Sequence, residues 1–93
     1  MIAEFLQHGL ENARTGAEIC KALNLDKREL TQAIERERRA GAPICAATGT
    51  IKGYYLAATQ DEMQRYCDSL KRRAIEIHKT RRACIKTIHN LPV

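Results

Sequence analysis

Hydrophobic and polar residues follow a helical period in three stretches of the chain, and each stretch starts with the same capping signal. The signal is a Thr or Asp followed three residues later by a Glu, because the two residues can exchange side-chain to backbone hydrogen bonds. It occurs at Thr15–Glu18, Asp26–Glu29 and Thr59–Glu62. The sequence therefore predicts helices that begin near residues 15, 26 and 59.

Two of these helices lie close together, and a shorter helix precedes them. Apolar residues recur at helical spacing from Ile2 to Leu10, which predicts a short first helix that ends at Gly9 or Asn12. The second helix stops at Asn24, only two or three residues before the cap of the third, a spacing typical of a helix-turn-helix. The predicted buried residues of these two helices are Ile19, Cys20, Leu23, Leu30, Ala33 and Ile34.

After the third helix ends at Gly41, the apolar pattern changes to alternation. Ile44 to Ala47 and Tyr54 to Ala57 alternate as two short strands, and two glycines in the segment that joins them favour a hairpin with Lys52 near its tip. The predicted fold class is therefore mostly α with a small β-hairpin (α+β). Helix, strand, turn and strand in this order predict a winged helix-turn-helix over residues 1–58.

Residues 59–93 form a second part, predicted as one long helix from Gln60 to about Asn90, because this stretch contains no Gly or Pro. Apolar residues recur along it with alternating spacings of four and three, a pattern that only Arg81 interrupts. We call this stripe the apolar seam: Met63, Cys67, Leu70, Ala74, Ile77, Cys84, Ile88 and Leu91.

A helix of this length extends beyond a domain of 58 residues, so its second half requires some other environment. It could be covered by another chain, fold back after a break near Thr80, or remain partly frayed. Alternatively, the whole apolar seam packs along its own domain. Pairing with a second copy through the seam is the favoured interpretation, and the long helix is then a dimerisation element.

Composition narrows the functional classes only slightly. A net charge of +5 and a pI near 9.3 favour an anionic partner without identifying it. No apolar run approaches the roughly 20 residues that span a bilayer, and the first residues do not resemble a targeting segment. We therefore expect an unprocessed cytoplasmic protein without membrane association.

The cysteines and histidines do not predict catalysis or metal binding. Cys20, Cys45, Cys67 and Cys84 lack the spacing of structural zinc sites, and we expect them to be small buried hydrophobic residues. No His stands beside a plausible nucleophile. We expect no enzymatic activity, no cofactor and no small-molecule substrate; a thiol- or metal-based sensor is a third hypothesis that depends on the four cysteines alone.

The string ERERRAGAPICAATGTIKGYYL, from Glu35 to Leu56, resembles the winged helix-turn-helix of bifunctional biotin ligase/repressor proteins. It also resembles small winged-helix proteins encoded in prophages of Gram-positive bacteria, which share a long basic C-terminal helix. The resemblance covers about residues 14–58, and neither family brings a catalytic site to this chain. The matching positions are Leu30, Ile34, Arg38, Gly41, Pro43, Ile44, Gly53, Tyr54 and Leu56.

One position departs from the biotin ligase/repressor pattern. Glu37 stands where that family has a Leu. Either the inner face of the third helix is less apolar than usual, or Glu37 pairs with a basic residue of the long helix.

The resemblance implies that the third helix enters the major groove of DNA and that the hairpin contacts a neighbouring groove or the backbone. Arg28 could contact phosphate or a guanine edge, and Gln32 an adenine. In the competing interpretation these side chains are an ordinary solvated face, in which Glu29 and Glu35 repel phosphate. The candidate DNA-binding residues are Lys27, Arg28, Thr31, Gln32, Arg36, Arg39 and Lys52.

The long helix carries a second basic surface, which either follows a nucleic-acid backbone or keeps a dimer in solution. It consists of Lys71, Arg72, Arg73, Lys79, Arg81, Arg82 and Lys86. We expect Tyr54 in the core, which leaves Tyr55 as the one candidate for stacking on bases.

The leading hypothesis is a dimeric, non-enzymatic winged-helix protein that binds double-stranded DNA, either a regulator of transcription or a phage-related accessory factor. The alternative is an adaptor that uses the same scaffold and the long helix to dock other proteins, because a fold does not dictate function. The acidic residues of the third helix and the weak overall charge favour the alternative.

Overall fold

The computed structural model describes all 93 residues, which form a mostly helical chain with one antiparallel hairpin and a long C-terminal helix. At this level the predicted α+β class is confirmed. Short 3-10 turns cover Leu10–Asn12 and Ile88–Asn90. The main elements are α1 (Ile2–Phe5), α2 (Gly16–Leu23), α3 (Lys27–Arg39), β1 (Ile44–Thr48), β2 (Lys52–Leu56) and α4 (Gln60–Lys86).

The capping signals of α2 and α3 are formed in full. Thr15 and Asp26 accept hydrogen bonds from the backbone of Glu18 and Glu29, and both glutamates return a bond. Asn24 ends α2 in the left-handed conformation, with φ of 55°. The two helices are therefore joined by three residues, 24–26, and the predicted short turn is confirmed.

The third signal forms only half of the predicted capping box. Thr59 accepts a hydrogen bond from the Glu62 backbone at 3.2 Å, but the Glu62 carboxylate does not return one to Thr59. It accepts instead from the N–H groups of Ala58, at 2.6 Å, and Leu10, at 3.2 Å. The start of α4 is thereby tied to the turn at Leu10, a contact between distant residues that local spacing does not reveal.

The first helix is shorter than its apolar spacing predicts. It ends at Phe5, and the chain then runs extended because β2 takes its backbone groups. Leu56 donates to the carbonyl of Gln7 and accepts from Gly9, and Arg14 exchanges two hydrogen bonds with Tyr54. The segment between α1 and α2 therefore lies along the outer edge of the hairpin, and the predicted helix through Leu10 is wrong.

The hairpin is packed on both faces. Ile44 pairs with Leu56 on one face, within a core that α1, α2 and α3 complete. Cys45 pairs with Tyr55 on the other, where Tyr66 of α4 covers them. The main core consists of Ile2, Leu6, Ile19, Leu30, Ala33, Ile34, Ile44 and Leu56, which includes the three residues predicted for α3.

Of the two neighbouring tyrosines of β2, Tyr54 packs against the main core as predicted, whereas the role considered for Tyr55 is wrong. Tyr55 is only 8% exposed, so it is not available to stack on a base. Tyr54 is half-buried at the edge of the main core. Alternation along the strand placed the two rings on different faces, but it did not show that α4 covers the face of Tyr55.

Glu37 caps the first helix rather than pairing with the long one. Its carboxylate accepts hydrogen bonds from the N–H groups of Ile2, at 2.8 Å, and Ala3, at 2.9 Å. Partial burial opposes ionisation, but these bonds together with the nearby amino group of Met1 lower the pKa of Glu37 below its usual value. Of the two alternatives for Glu37, pairing with a basic residue of the long helix is therefore wrong.

The long helix is continuous from Gln60 to Lys86, so a fold-back near Thr80 is excluded. Tyr66 is its one buried residue, although it lies outside the predicted apolar seam. Every residue from Lys71 to Val93 is exposed, so the seam as a whole does not pack along its own domain. We call residues 71–93 the free segment and residues 1–70 the packed part.

The cysteines do not all occupy buried positions. Cys45 is fully buried and Cys20 is half-buried, whereas Cys67 and Cys84 on α4 are exposed. Burial raises the pKa of the Cys45 thiol. The expectation of four buried cysteines is therefore wrong for the two on α4, where apolar spacing continues without a core to cover it.

Candidate nucleic-acid interface

The outward face of α3 carries six of the seven candidate DNA-binding residues. Leu30, Ala33 and Ile34 form the buried stripe of α3, and Glu37 and Arg38 are half-buried, so the other positions of this helix point outward. All seven candidates are exposed: Lys27, Arg28, Thr31, Gln32, Arg36, Arg39 and Lys52.

Part of this face is a shallow depression lined by Thr31, Gln32, Glu35, Arg36 and Arg39. The Thr31 hydroxyl donates to the backbone carbonyl of Lys27 at 3.0 Å, which leaves its oxygen free to accept a further bond. Gln32 has no intramolecular partner, so its amide can both donate and accept. The hydroxyl of Thr31 and the amide of Gln32 can therefore hydrogen-bond to base edges, and the guanidinium groups of Arg36 and Arg39 lie in the same depression.

The acidic residues of α3 are all engaged. Glu35 lies 3.3 Å from Arg39, Glu29 accepts from the backbone of Asp26, and Glu37 caps α1. The repulsion of phosphate expected from Glu29 and Glu35 is therefore partly offset, although Glu35 in turn neutralises much of Arg39. Lys27, Arg28 and Arg36 form no ion pair and are the free cations of this face.

Lys52 lies apart from the depression on α3. It pairs with Thr48 at the end of the ladder and directly follows the loop of residues 49–51, and its exposed side chain borders a shallow surface formed by the hairpin itself. The structure therefore brings the α3 residues together but leaves Lys52 as a separate contact point near the hairpin tip, as the sequence predicts.

Arg38 joins three elements. Its Nε donates to the carbonyl of Ile44 at 2.9 Å, and its guanidinium carbon lies 4.8 Å from the centre of the Tyr66 ring. Its Nη2 atom is buried without a hydrogen-bond partner. The sequence marks Arg38 only as a matching position of the resemblance, whereas its contacts give it a structural role between α3, β1 and α4.

Beside Arg38 an open cleft of about 400 Å³ separates α4 from the hairpin and the end of α3. Tyr54, Tyr66, Leu70 and Ile77 supply most of its apolar surface, and Arg73 adds a charge. The sequence did not indicate this cleft, because its two sides come from elements far apart in the chain.

The apolar seam is largely uncovered. Met63 packs against Cys45 and Tyr55 within its own chain, whereas Cys67, Ala74 and Cys84 are exposed. Leu70, Ile77 and Ile88 are 42%, 68% and 59% exposed. The seam is therefore available to a partner from Cys67 onward.

The remaining features bear on other kinds of site. No three His, Cys, Asp or Glu side chains come together in a group that could hold a metal ion. No helix has both the length and the apolar character needed to cross a membrane.

Comparison of the chain with protein-family models, with curated proteins and with solved structures finds no match.

Proposed function

We propose that this chain is a non-enzymatic winged helix-turn-helix protein that binds double-stranded DNA as a homodimer. The observation that carries the proposal is the outward face of α3, where Arg28, Gln32 and Arg36 stand exposed on a helix that a short turn fixes against α2. An exposed helix that combines cations with an amide suits the major groove, because it offers both phosphate contacts and base contacts.

The hairpin would serve as the wing. It follows α3 directly, and both its faces and one of its edges are held by the rest of the chain, so its base is fixed while its three-residue loop projects. Lys52 at the end of the ladder would then contact a phosphate beside the groove that α3 occupies.

The uncovered seam supports the homodimer. A row of apolar side chains spaced by four and three along an exposed helix is the pattern of a two-stranded coiled coil. Two copies would present two α3 helices, which suits a DNA site with two-fold symmetry. A transcription regulator and a phage-related accessory factor both fit this arrangement.

The test of DNA binding is titration of a labelled duplex at about 50 and 200 mM salt, because phosphate contacts weaken steeply over this range. We expect Arg28→Ala/Gln32→Ala to lower the affinity at least ten-fold with unchanged thermal unfolding. Lys21→Ala/Gln7→Ala is the matched control, since it removes one exposed cation and one exposed amide elsewhere. No binding by the unaltered protein at 50 mM salt would contradict the proposal.

The homodimer is tested by light scattering. Ile77 lies on the seam, whereas Ile75 is also exposed but lies on the opposite side of α4. We expect Ile77→Ser to shift the mass from dimer toward monomer and Ile75→Ser to leave it unchanged. A monomeric protein at tens of micromolar would rule out the pairing.

A second candidate function is a protein-interaction adaptor. The open cleft between α3, the hairpin and α4 favours it, because apolar side chains there are not covered by the chain itself. In this case the Arg28→Ala/Gln32→Ala variant would behave as the unaltered protein in every DNA titration.

A further inference from the structure

The positive charge of the chain is concentrated in the free segment. Residues 71–93 hold seven of the sixteen Lys and Arg side chains but only Glu76 of the eleven acidic ones. The other 70 residues carry nine basic and ten acidic side chains, so they are close to neutral. The net charge of +5 therefore comes from the free segment alone, and not from the part of the molecule that contains α3.

Most of these charges have no partner within the chain. Lys79 lies 3.1 Å from Glu76, and no other basic residue of the free segment forms an ion pair. At 3.6 residues per turn, four cations share one side of α4, within an arc of roughly 80°. These four, which we call the basic face, are Lys71, Lys79, Arg82 and Lys86.

The basic face and the apolar seam lie on different sides of the same helix. Leu70, Ala74, Ile77 and Ile88 are centred more than about 120° away from the four cations. A second copy could therefore cover the seam while the basic face remains open to solvent. Dimerisation through the seam and binding of an anion by the basic face would therefore not compete for the same surface.

The features of the free segment favour the phosphate backbone of a nucleic acid over an anionic membrane. A helix that lies in a membrane interface needs a continuous apolar side, usually with aromatic residues. The free segment has no aromatic residue, and Arg81 interrupts its apolar side. From Lys71 to Lys86 the helix spans about 22 Å, and a duplex offers one negative charge per roughly 1.7 Å along its axis.

We propose that the basic face of α4 binds the phosphate backbone of the duplex and supplies a large part of the electrostatic affinity, while α3 supplies the base contacts. This inference rests on the proposed DNA-binding function. Each cation that neutralises a phosphate steepens the dependence of log K on log salt by about 0.9. The four cations of the basic face therefore contribute to this slope beside the free cations of α3, although the packed part carries no net positive charge.

The test measures duplex affinity from about 50 to 200 mM salt for the full chain and for Arg82→Gln/Lys86→Gln. We expect the slope to fall by about 1.8 for each copy that contacts the duplex, which is about 3.6 for the dimer, and the affinity at low salt to fall at least ten-fold. Lys21→Glu is the control, because it changes the net charge by the same amount on α2, away from both surfaces. Circular dichroism checks that both variants keep their helix content.

The outcomes separate this inference from the function on which it rests. Suppose that Arg28→Ala/Gln32→Ala weakens binding but Arg82→Gln/Lys86→Gln matches the Lys21→Glu control. The proposed role of the basic face is then overturned, and α3 remains the DNA contact. If only the α4 variant weakens binding, the proposed role of the basic face is supported and the proposed base contacts of α3 are contradicted. Binding to phosphatidylserine vesicles, with none to duplex DNA, overturns both.

Discussion

The packed part and the free segment maintain their helices by different means. In the packed part α2 and α3 each have a capped start and a buried face, and even the four residues of α1 are capped by Glu37. The free segment continues α4 for four further turns without burying a single residue. A helix without burial is marginally stable in water, so this segment depends on its anchored start and on whatever covers it.

Truncation of an apolar side chain should change the free energy of unfolding far more in the packed part than in the free segment. Ile44 is fully buried and Ile77 is 68% exposed. We expect Ile44→Ala to lower the free energy of unfolding by about 3–4 kcal/mol through lost burial and a cavity. In dilute, unpaired protein Ile77→Ala should change it by less than about 0.5 kcal/mol. Urea unfolding at low concentration measures both, and similar losses would mean that the free segment packs on the chain.

Substitution of a glycine tests how closely the chain before α2 approaches the edge of the hairpin. This contact belongs to the packed part, and the free segment has none like it. Gly53 has φ of +126°, and a Cβ there would collide with the backbone of Arg14 and Thr15. We expect Gly53→Ala to cost about 2–3 kcal/mol, from strain and from the weakened pairing with Arg14. Gly49→Ala is the control, since a Cβ there meets nothing within 4 Å. Thermal unfolding compares them, and equal melting temperatures would refute the close approach.

The smallest expected effect concerns the pH dependence of the packed part. The folded-state pKa of Glu37 is lowered, so its contribution to stability is present above the ordinary value of 4.5 and is lost as the pH falls through the folded-state pKa. Glu37→Gln should cost about 1 kcal/mol at pH 7 and flatten the decline of stability in acid. Glu4→Gln, an exposed change in α1 itself, should leave the pH profile of urea unfolding unaltered.

Local signals predicted the elements well, because capping, periodicity and turns act over a few residues. The caps at Thr15 and Asp26, the strands and the length of α4 all follow from neighbours in the sequence. The core of α3 also follows, since the spacing of Leu30, Ala33 and Ile34 defines one side of a helix. The winged-helix relationship and the DNA contacts stay predictions.

The failures share one cause, which is contact between residues distant in the chain. The sequence does not reveal the role of Glu37 on the inner side of α3, because its partners are the backbone groups of Ile2 and Ala3, 34 to 35 residues earlier. The helix predicted through Leu10 stops early because β2 pairs with that segment. Tyr66 was missed because its burial depends on the hairpin, which no helical period describes. The charge imbalance of the free segment, by contrast, can be counted from the sequence.

The contacts of Arg38 have a mechanical consequence. This side chain is bonded to β1 and covers the ring of Tyr66, so a tilt of α4 against α3 would leave its guanidinium with fewer partners. Beyond Leu70 the helix projects for roughly 24 Å as a lever arm. A force applied at its far end would act on the base of the lever at Tyr66, where α4 meets the packed part. The hydrogen bond of Arg38 to Ile44 and its contact with the Tyr66 ring would therefore resist bending of the lever against α3 and β1.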